Sequence, residues 1–182
     1  MLHEFDGLPK KIEYLLSENE HINECYKDCE VKVLYKSDSE KIISKCDILL
    51  TELRVLIIEN CEYSSSNLKI PTKFSNCRFI YISDIIVNAI STTDVNSSDI
   101  PYLYIQLGGE VDEIVDGENE DYFELIEVNI TCKSSHSQNT VYSMFNSISE
   151  TIAYNEQLKN TENGFLSDEE VFFCDEKHME SN

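Results

Sequence analysis

Seven cysteines, four histidines and 35 carboxylates are the side chains of this sequence with the means to do chemistry. The thiols stand at positions 25, 29, 46, 61, 77, 132 and 174, an odd number without a repeated C-x-x-C. In a chain whose start lacks an apolar secretory core, that pattern predicts reduced thiols inside a cell. His21, Cys25 and Cys29 follow one another at intervals of four, so one helix face would bring three metal-ligand types together. No second pair completes such a site, and His3, His136 and His178 are far away in sequence. The thiols are therefore read as buried or half-buried structural residues, and no metal or cofactor is expected. Neither G-x-S-x-G, nor a phosphate-binding loop, nor H-E-x-x-H occurs. Acids are so abundant that two of them meet somewhere by composition alone. No catalytic residue is assigned, and the chain is read as non-enzymatic.

The charge balance says more. Fourteen Lys and Arg against 35 Asp and Glu give a formal net charge of −21 over 182 residues. Such a surface repels phosphate backbones and anionic membranes and attracts basic partners, which excludes direct nucleic-acid binding as the first reading. No apolar run approaches the roughly 20 residues needed to cross a bilayer. Glu110 to Glu124 holds eight acids and no base. Like charges at that density repel, so a long mobile loop is predicted at 109–121, carrying Glu110, Asp112, Glu113, Asp116, Glu118, Glu120 and Asp121. Its plain alternative is a solubilising insertion. Lys32, Lys36, Lys41 and Lys45 cluster near the first strands, where a basic mouth would read phosphoinositide headgroups; a solvated strand face carries such lysines equally well.

These residues need a scaffold. Residues 1–28 read as a variable lead-in with Leu8, Ile12, Leu15 and Leu16 at loosely helical spacing. Val31-Val33-Tyr35 alternates as a first strand, Ile42 to Leu50 as a second, and Leu53 to Ile58 is rich enough in β-branched residues for the centre of a sheet. Glu62 to Lys69 reads as a serine-rich loop. Phe79 to Ile90 reads as one strand interrupted at Ser83-Asp84, and Tyr102, Leu103, Tyr104, Ile105, Gln106 and Leu107 alternate cleanly. Tyr122 to Thr131 is the last strand. Val141, Phe145, Ile148 and Ile152 then fall at i, i+4, i+7 and i+11, with Met144 beside them: an amphipathic helix that must lie on the sheet. The predicted fold is mainly β, a sandwich or partly open barrel of about seven antiparallel strands capped by one C-terminal helix. The domain is placed at 29–158 and an acidic tail at 159–182.

That order is the pleckstrin-homology plan. The runs Ile48 to Ile58, Phe79-Ile80-Tyr81-Ile82-Ser83-Asp84-Ile85 with Ala89-Ile90-Ser91, and Pro101-Tyr102-Leu103-Tyr104-Ile105 resemble the pICln family, the nucleotide-sensitive chloride-conductance regulators. The acidic insertion, Phe123-Glu124-Leu125-Ile126 and the helix with Ser143-Met144-Phe145 follow in the family's order, so the resemblance spans Val31 to Asn155. It implies an assembly chaperone of cytoplasm and nucleus that holds Sm proteins before they form rings on spliceosomal RNA, working with an arginine methyltransferase complex, the methylosome. The family's older association is with swelling-activated chloride conductance and cell volume, at the periphery of the plasma membrane. Its mode of binding is a sandwich strand offered for main-chain pairing. Carried onto this sequence, that edge strand is Tyr102, Leu103, Tyr104, Ile105 and Gln106, and the acidic loop steers basic Sm proteins to it. The family's Gly-Gln-Phe-acidic docking peptide for the methyltransferase is missing from the sequence up to Asn182. The nearest substitute is the acidic stretch with Phe165, Phe172 and Phe173, where Ser167 also precedes three acids, as an acid-directed kinase site does.

Overall fold

The structure is a computed structural model. It describes residues 1–5, 11–35, 39–64, 67–91, 100–108, 110–111, 122–123, 125–133 and 137–167. In chain order the strands are β1 His3–Glu4, β2 Ile22–Leu34, β3 Glu40–Thr51, β4 Arg54–Glu59, β5 Glu62–Ser64, β6 Asn67–Lys73, β7 Asn76–Tyr81 and β8 Ile85–Ser91. β9 Tyr102–Leu107, β10 Glu110–Val111, β11 Tyr122–Phe123 and β12 Ile126–Cys132 follow, and then one helix, α1 Ser137–Ser167. Eight strands form one antiparallel sheet in the order β1-β7-β4-β3-β2-β12-β9-β8, which is not closed into a barrel. The fold is mainly β with a C-terminal helix, as the alternation and the helical stripe predict.

The sheet bends where its two longest strands cross. Cys29 pairs with Cys46, register shifts fall on both sides of Cys29, and Asp28 and Lys45 hold positive φ of 55° and 59°. A bulge bends the strand that carries it, so β2 and β3 each serve both halves of the sheet. The Asp47 carboxylate fixes the bend by accepting the Asp28 amide at 3.0 Å.

Inside the fold lies the main core: Val31, Val33, Ile48, Val55, Ile57, Ile80, Leu103, Ile105, Val128 and Ile130 from the strands, closed by Val141, Met144 and Ile148 of α1. Those three helix residues are fully buried, and Phe145 and Ile152 pack partly against the same cluster, so the predicted stripe is the face that seats the helix.

A second core, absent from the sequence reading, covers the other face of β3, β4 and β7. It joins Leu49, Leu56, Ile58, Cys77 and Phe79 to Ile12 and Leu15 of the lead-in. The described residues of the lead-in thus take part in the sheet and its second core. His3–Glu4 pairs with Arg78–Phe79, and β2 already begins at Ile22. Glu20 and Arg54 form a buried ion pair, with Arg54 Nε 3.0 Å from Glu20 Oε1 and Arg54 Nη2 donating to the Leu15 carbonyl at 2.7 Å. Burial alone would raise the Glu20 pKa. Hydrogen bonds from Arg54, the Ser17 amide and Thr51 outweigh that and hold it below its ordinary value.

Three further differences bear on function. The predicted serine-rich loop contains a hairpin, β5 with β6. The predicted final strand is two elements: Tyr122–Phe123 pairs with Glu110–Val111, and only Ile126–Cys132 joins the main sheet. Ser83-Asp84 does not interrupt one strand but lies in the 3-10 turn Ile82–Asp84, through which the chain passes from β7, second from one end of the sheet, to β8 at the other. Where the two ends approach, the Met1 ammonium lies 2.9 Å from Asp84 Oδ2.

Candidate functional site

The resemblance placed the partner-binding edge at Tyr102 to Gln106. The structure corrects this. β9 is paired on both sides, Leu103, Tyr104, Ile105 and Gln106 with β12 and Tyr102 to Gln106 with β8. Its main-chain groups are spent within the sheet, and Leu103, Ile105 and Leu107 are completely buried. What β9 presents is a side-chain face, with Tyr102, Tyr104 and Gln106 half-buried. Partial burial and the neighbouring Glu127 carboxylate push the Tyr104 phenol up, so it is a neutral hydrogen-bonding group.

The edge belongs to β8. Ile85–Ser91 pairs with β9 alone, and among the described residues no strand lies on its other side. A register shift between Ile85 and Val87 marks a bulge near its start. Around that bulge two large apolar side chains face solvent, Ile86 at 60% exposure and Val87 at 36%. Ile86 owes its seat to Gly108: a Cβ there would come within 2.2 Å of Ile86 Cδ1. The middle of the strand is anchored from within, since Asn88 Nδ2 donates to the Phe145 carbonyl at 3.3 Å and to Ser149 Oγ at 2.9 Å on α1.

The acidic insertion starts beside this edge. Leu107, the last residue of β9, pairs with Ile85 on one side and Ile126 on the other. The β10–β11 ladder, which includes Glu110, continues from that same end. Asp112, Glu113, Asp116, Glu118, Glu120 and Asp121 lie outside the described residues, as do Phe172 and Phe173. Phe165 falls on α1, which runs to Ser167, so residues 159–167 are helix and not tail.

A headgroup-binding mouth finds little support. Lys32 is paired with Glu40 at 2.8 Å and Lys41 with Glu4 at 3.1 Å, which neutralises two members of the lysine cluster; Lys36 lies outside the described residues. The cysteines are no better placed for chemistry. Burial raises the thiols of Cys46, Cys61 and Cys77 to about 12, so they stay protonated and poorly nucleophilic near neutral pH. Among the described residues no group of three or more His, Cys, Asp or Glu is placed to hold a metal ion.

Two features of the site escaped the sequence reading. The free edge was hidden because Phe79 to Ile90 reads as one broken strand, although Ser83-Asp84 was the signal of a crossover. The ion pair had a signal as well: the chain has only two arginines, Arg54 and Arg78, both inside apolar strands, where a guanidinium needs a carboxylate. Arg78 meets Glu4 and Glu59.

No family model matches the chain, and no curated protein does either. Six chains of solved structures are similar to this one, among them two of different description. One belongs to "The 8S snRNP Assembly Intermediate", with 15% identity and a TM-score of 0.48, covering 84% of this chain and 92% of that one. The other is the Vps36 N-terminal PH domain, with 17% identity and a TM-score of 0.38, covering 74% and 86%. A pleckstrin-homology domain thus stands among the structural neighbours of this mainly β chain.

Proposed function

We propose that this chain is a non-catalytic assembly factor that holds basic Sm-type proteins during the assembly of small nuclear ribonucleoproteins, in cytoplasm and nucleus. The observation that carries the reading is the outer edge of β8, which no strand among the described residues pairs and on which Ile86 and Val87 are exposed. A strand with free amide and carbonyl groups is a template for a partner's strand, and exposed side chains beside it set which partner fits. The net charge of −21 selects a basic one. The sequence resemblance to the pICln family supplies the partner class. An snRNP assembly intermediate is also what the first similar chain belongs to, but the reading stands on edge, charge and resemblance. An arginine methyltransferase complex is a further partner under the same reading, with Phe165, Phe172 and Phe173 as the tail contact.

The test is capture of recombinant Sm heteromers by the tagged full chain. The double variant Ile86→Lys/Val87→Lys puts two cations on the edge, which blunts strand addition and repels a basic partner. Capture should fall to background in this variant and should weaken in the wild type as salt rises. Capture equal to wild type in the double variant would remove β8 as the binding edge.

A further inference from the structure

A second surface lies where α1, from Ile152 to Lys159, passes the corner between β7 and β8. The turn Glu52-Leu53 between β3 and β4 reaches up to the helix, and Asn155 Nδ2 ties it there by donating to the Glu52 carbonyl at 3.2 Å. On one side of this tie is a cavity of about 410 Å³ floored by Ile82, Ile85 and Ile152 and walled by Leu53, Tyr81 and Leu158. The walls are unusually bare for such large apolar side chains: Leu53 is 45% exposed, Tyr81 39% and Leu158 46%. On the other side is a cavity of about 300 Å³ whose lining includes Glu24, Glu52, Glu150 and the aromatic ring of Tyr154. None of these three carboxylates is ion-paired among the described residues, and Lys159 at the edge of the apolar groove is the only cation in either lining. An apolar groove and a carboxylate pocket with an aromatic wall therefore adjoin across one turn of helix.

We infer that this face docks a cationic amphipathic segment of a partner protein, its apolar side chains in the Leu53–Tyr81–Leu158 groove and its lysines or arginines against Glu24, Glu52 and Glu150. Charge decides among the possible occupants. A second copy of the chain would bring another net −21 against the same carboxylates. The chain's own residues 168–182 carry six acids and one lysine around Val171-Phe172-Phe173 and meet the same repulsion. An anionic membrane is repelled likewise. A basic amphipathic segment is attracted, and its apolar face matches side chains that nothing else among the described residues covers. This surface shares only Ile85 with β8, stops short of the exposed Ile86 and Val87, and stands whether or not that edge binds Sm-type proteins.

The probe is a fluorescently labelled peptide of leucines and lysines at amphipathic helical spacing, titrated with the full chain and read by anisotropy. Leu158→Asp should weaken binding about tenfold or more, the scale set by loss of one buried leucine contact. This variant makes the protein more acidic, so attraction by charge alone would leave binding unchanged or tighter; that result overturns the inference. Glu150→Lys should weaken binding severalfold and flatten its salt dependence. Ile42→Asp, at a 57% exposed site on β3, should leave it unchanged, as should Ile86→Lys on β8. Tighter peptide binding by Phe172→Ser/Phe173→Ser would show the chain's own tail in the groove and overturn the assignment. A wild-type dimer that Leu158→Asp dissociates in sedimentation would do the same.

Discussion

The two halves of the sheet are built on different terms. β4 and β7 and the second half of β3 are covered on both faces, and their burial runs almost without break from Ile48 to Leu50, Val55 to Ile58 and Cys77 to Ile80. β12 and β9 are covered by α1 and the main core on one face only, and their burial alternates residue by residue. The first half has both faces packed, one on the helix-capped core and the other on the lead-in, and β1 pairs with Arg78 and Phe79 at its outer edge; what it exposes is the corner at Leu53 and Tyr81. The second half keeps one face and the β8 edge in contact with solvent. Two-sided cover is concentrated in one half, and the proposed strand-pairing edge lies in the other.

The sharpest way to break this comparison is at Glu20, which ties the lead-in to β4. Glu20→Ala leaves the Arg54 guanidinium buried without its partner and should cost about 3–5 kcal/mol in urea denaturation. A loss below about 1 kcal/mol would mean that the lead-in is dispensable. The same residue carries a pH signature. Its folded pKa lies below the ordinary 4.5, so its contribution is full above that value and is lost as pH falls through the lower folded one. The stability gap between wild type and Glu20→Gln should therefore be widest near neutral pH and close in acid below 4.5; a gap that stays constant would assign the effect to packing alone.

Leu56→Ala sharpens the point next. It empties a fully buried site on the face that only the second core covers, and should cost about 2–5 kcal/mol. Asn88→Ala, on the recognition side, removes the two hydrogen bonds from β8 to α1 and should cost about 1 kcal/mol. At the small end, Ile86→Ala should stay within about 0.5 kcal/mol of wild type while weakening partner capture. A large stability loss there would show that the edge belongs to the packed half after all.

The contrast also explains what the sequence could and could not disclose. The alternation of Leu103, Ile105 and Leu107, and the stripe Val141, Phe145, Ile148 and Ile152, were legible because one-sided cover imposes a period on the pattern. Leu53 to Ile58 was legible as a central strand because cover on both faces removes the period. What lay on the second face was not, since Ile12 and Leu15 are too few to show a pattern of their own. The edge was misplaced for a different reason. Tyr102 to Leu107 alternates just as a solvent-facing strand does, but side-chain pattern reports which faces are covered and is silent about whether amide and carbonyl groups are paired. Pairing depends on where Ile85–Ser91 goes after the turn at Ile82–Asp84, and that is decided by chain path. The acidic insertion was legible only as charge, because β10 and β11 are each two residues long.

That turn limits how the sheet can open. Three residues in 3-10 conformation span about 6 Å, so the corner joining β7 to β8 works as a rivet between the two extremities. The Met1–Asp84 contact lies at the same corner, and Ser91 is the end of β8 farther from it. A ribbon added antiparallel to β8 would therefore have its carboxyl end at this corner, and a client whose matching strand runs on past that point would meet the turn.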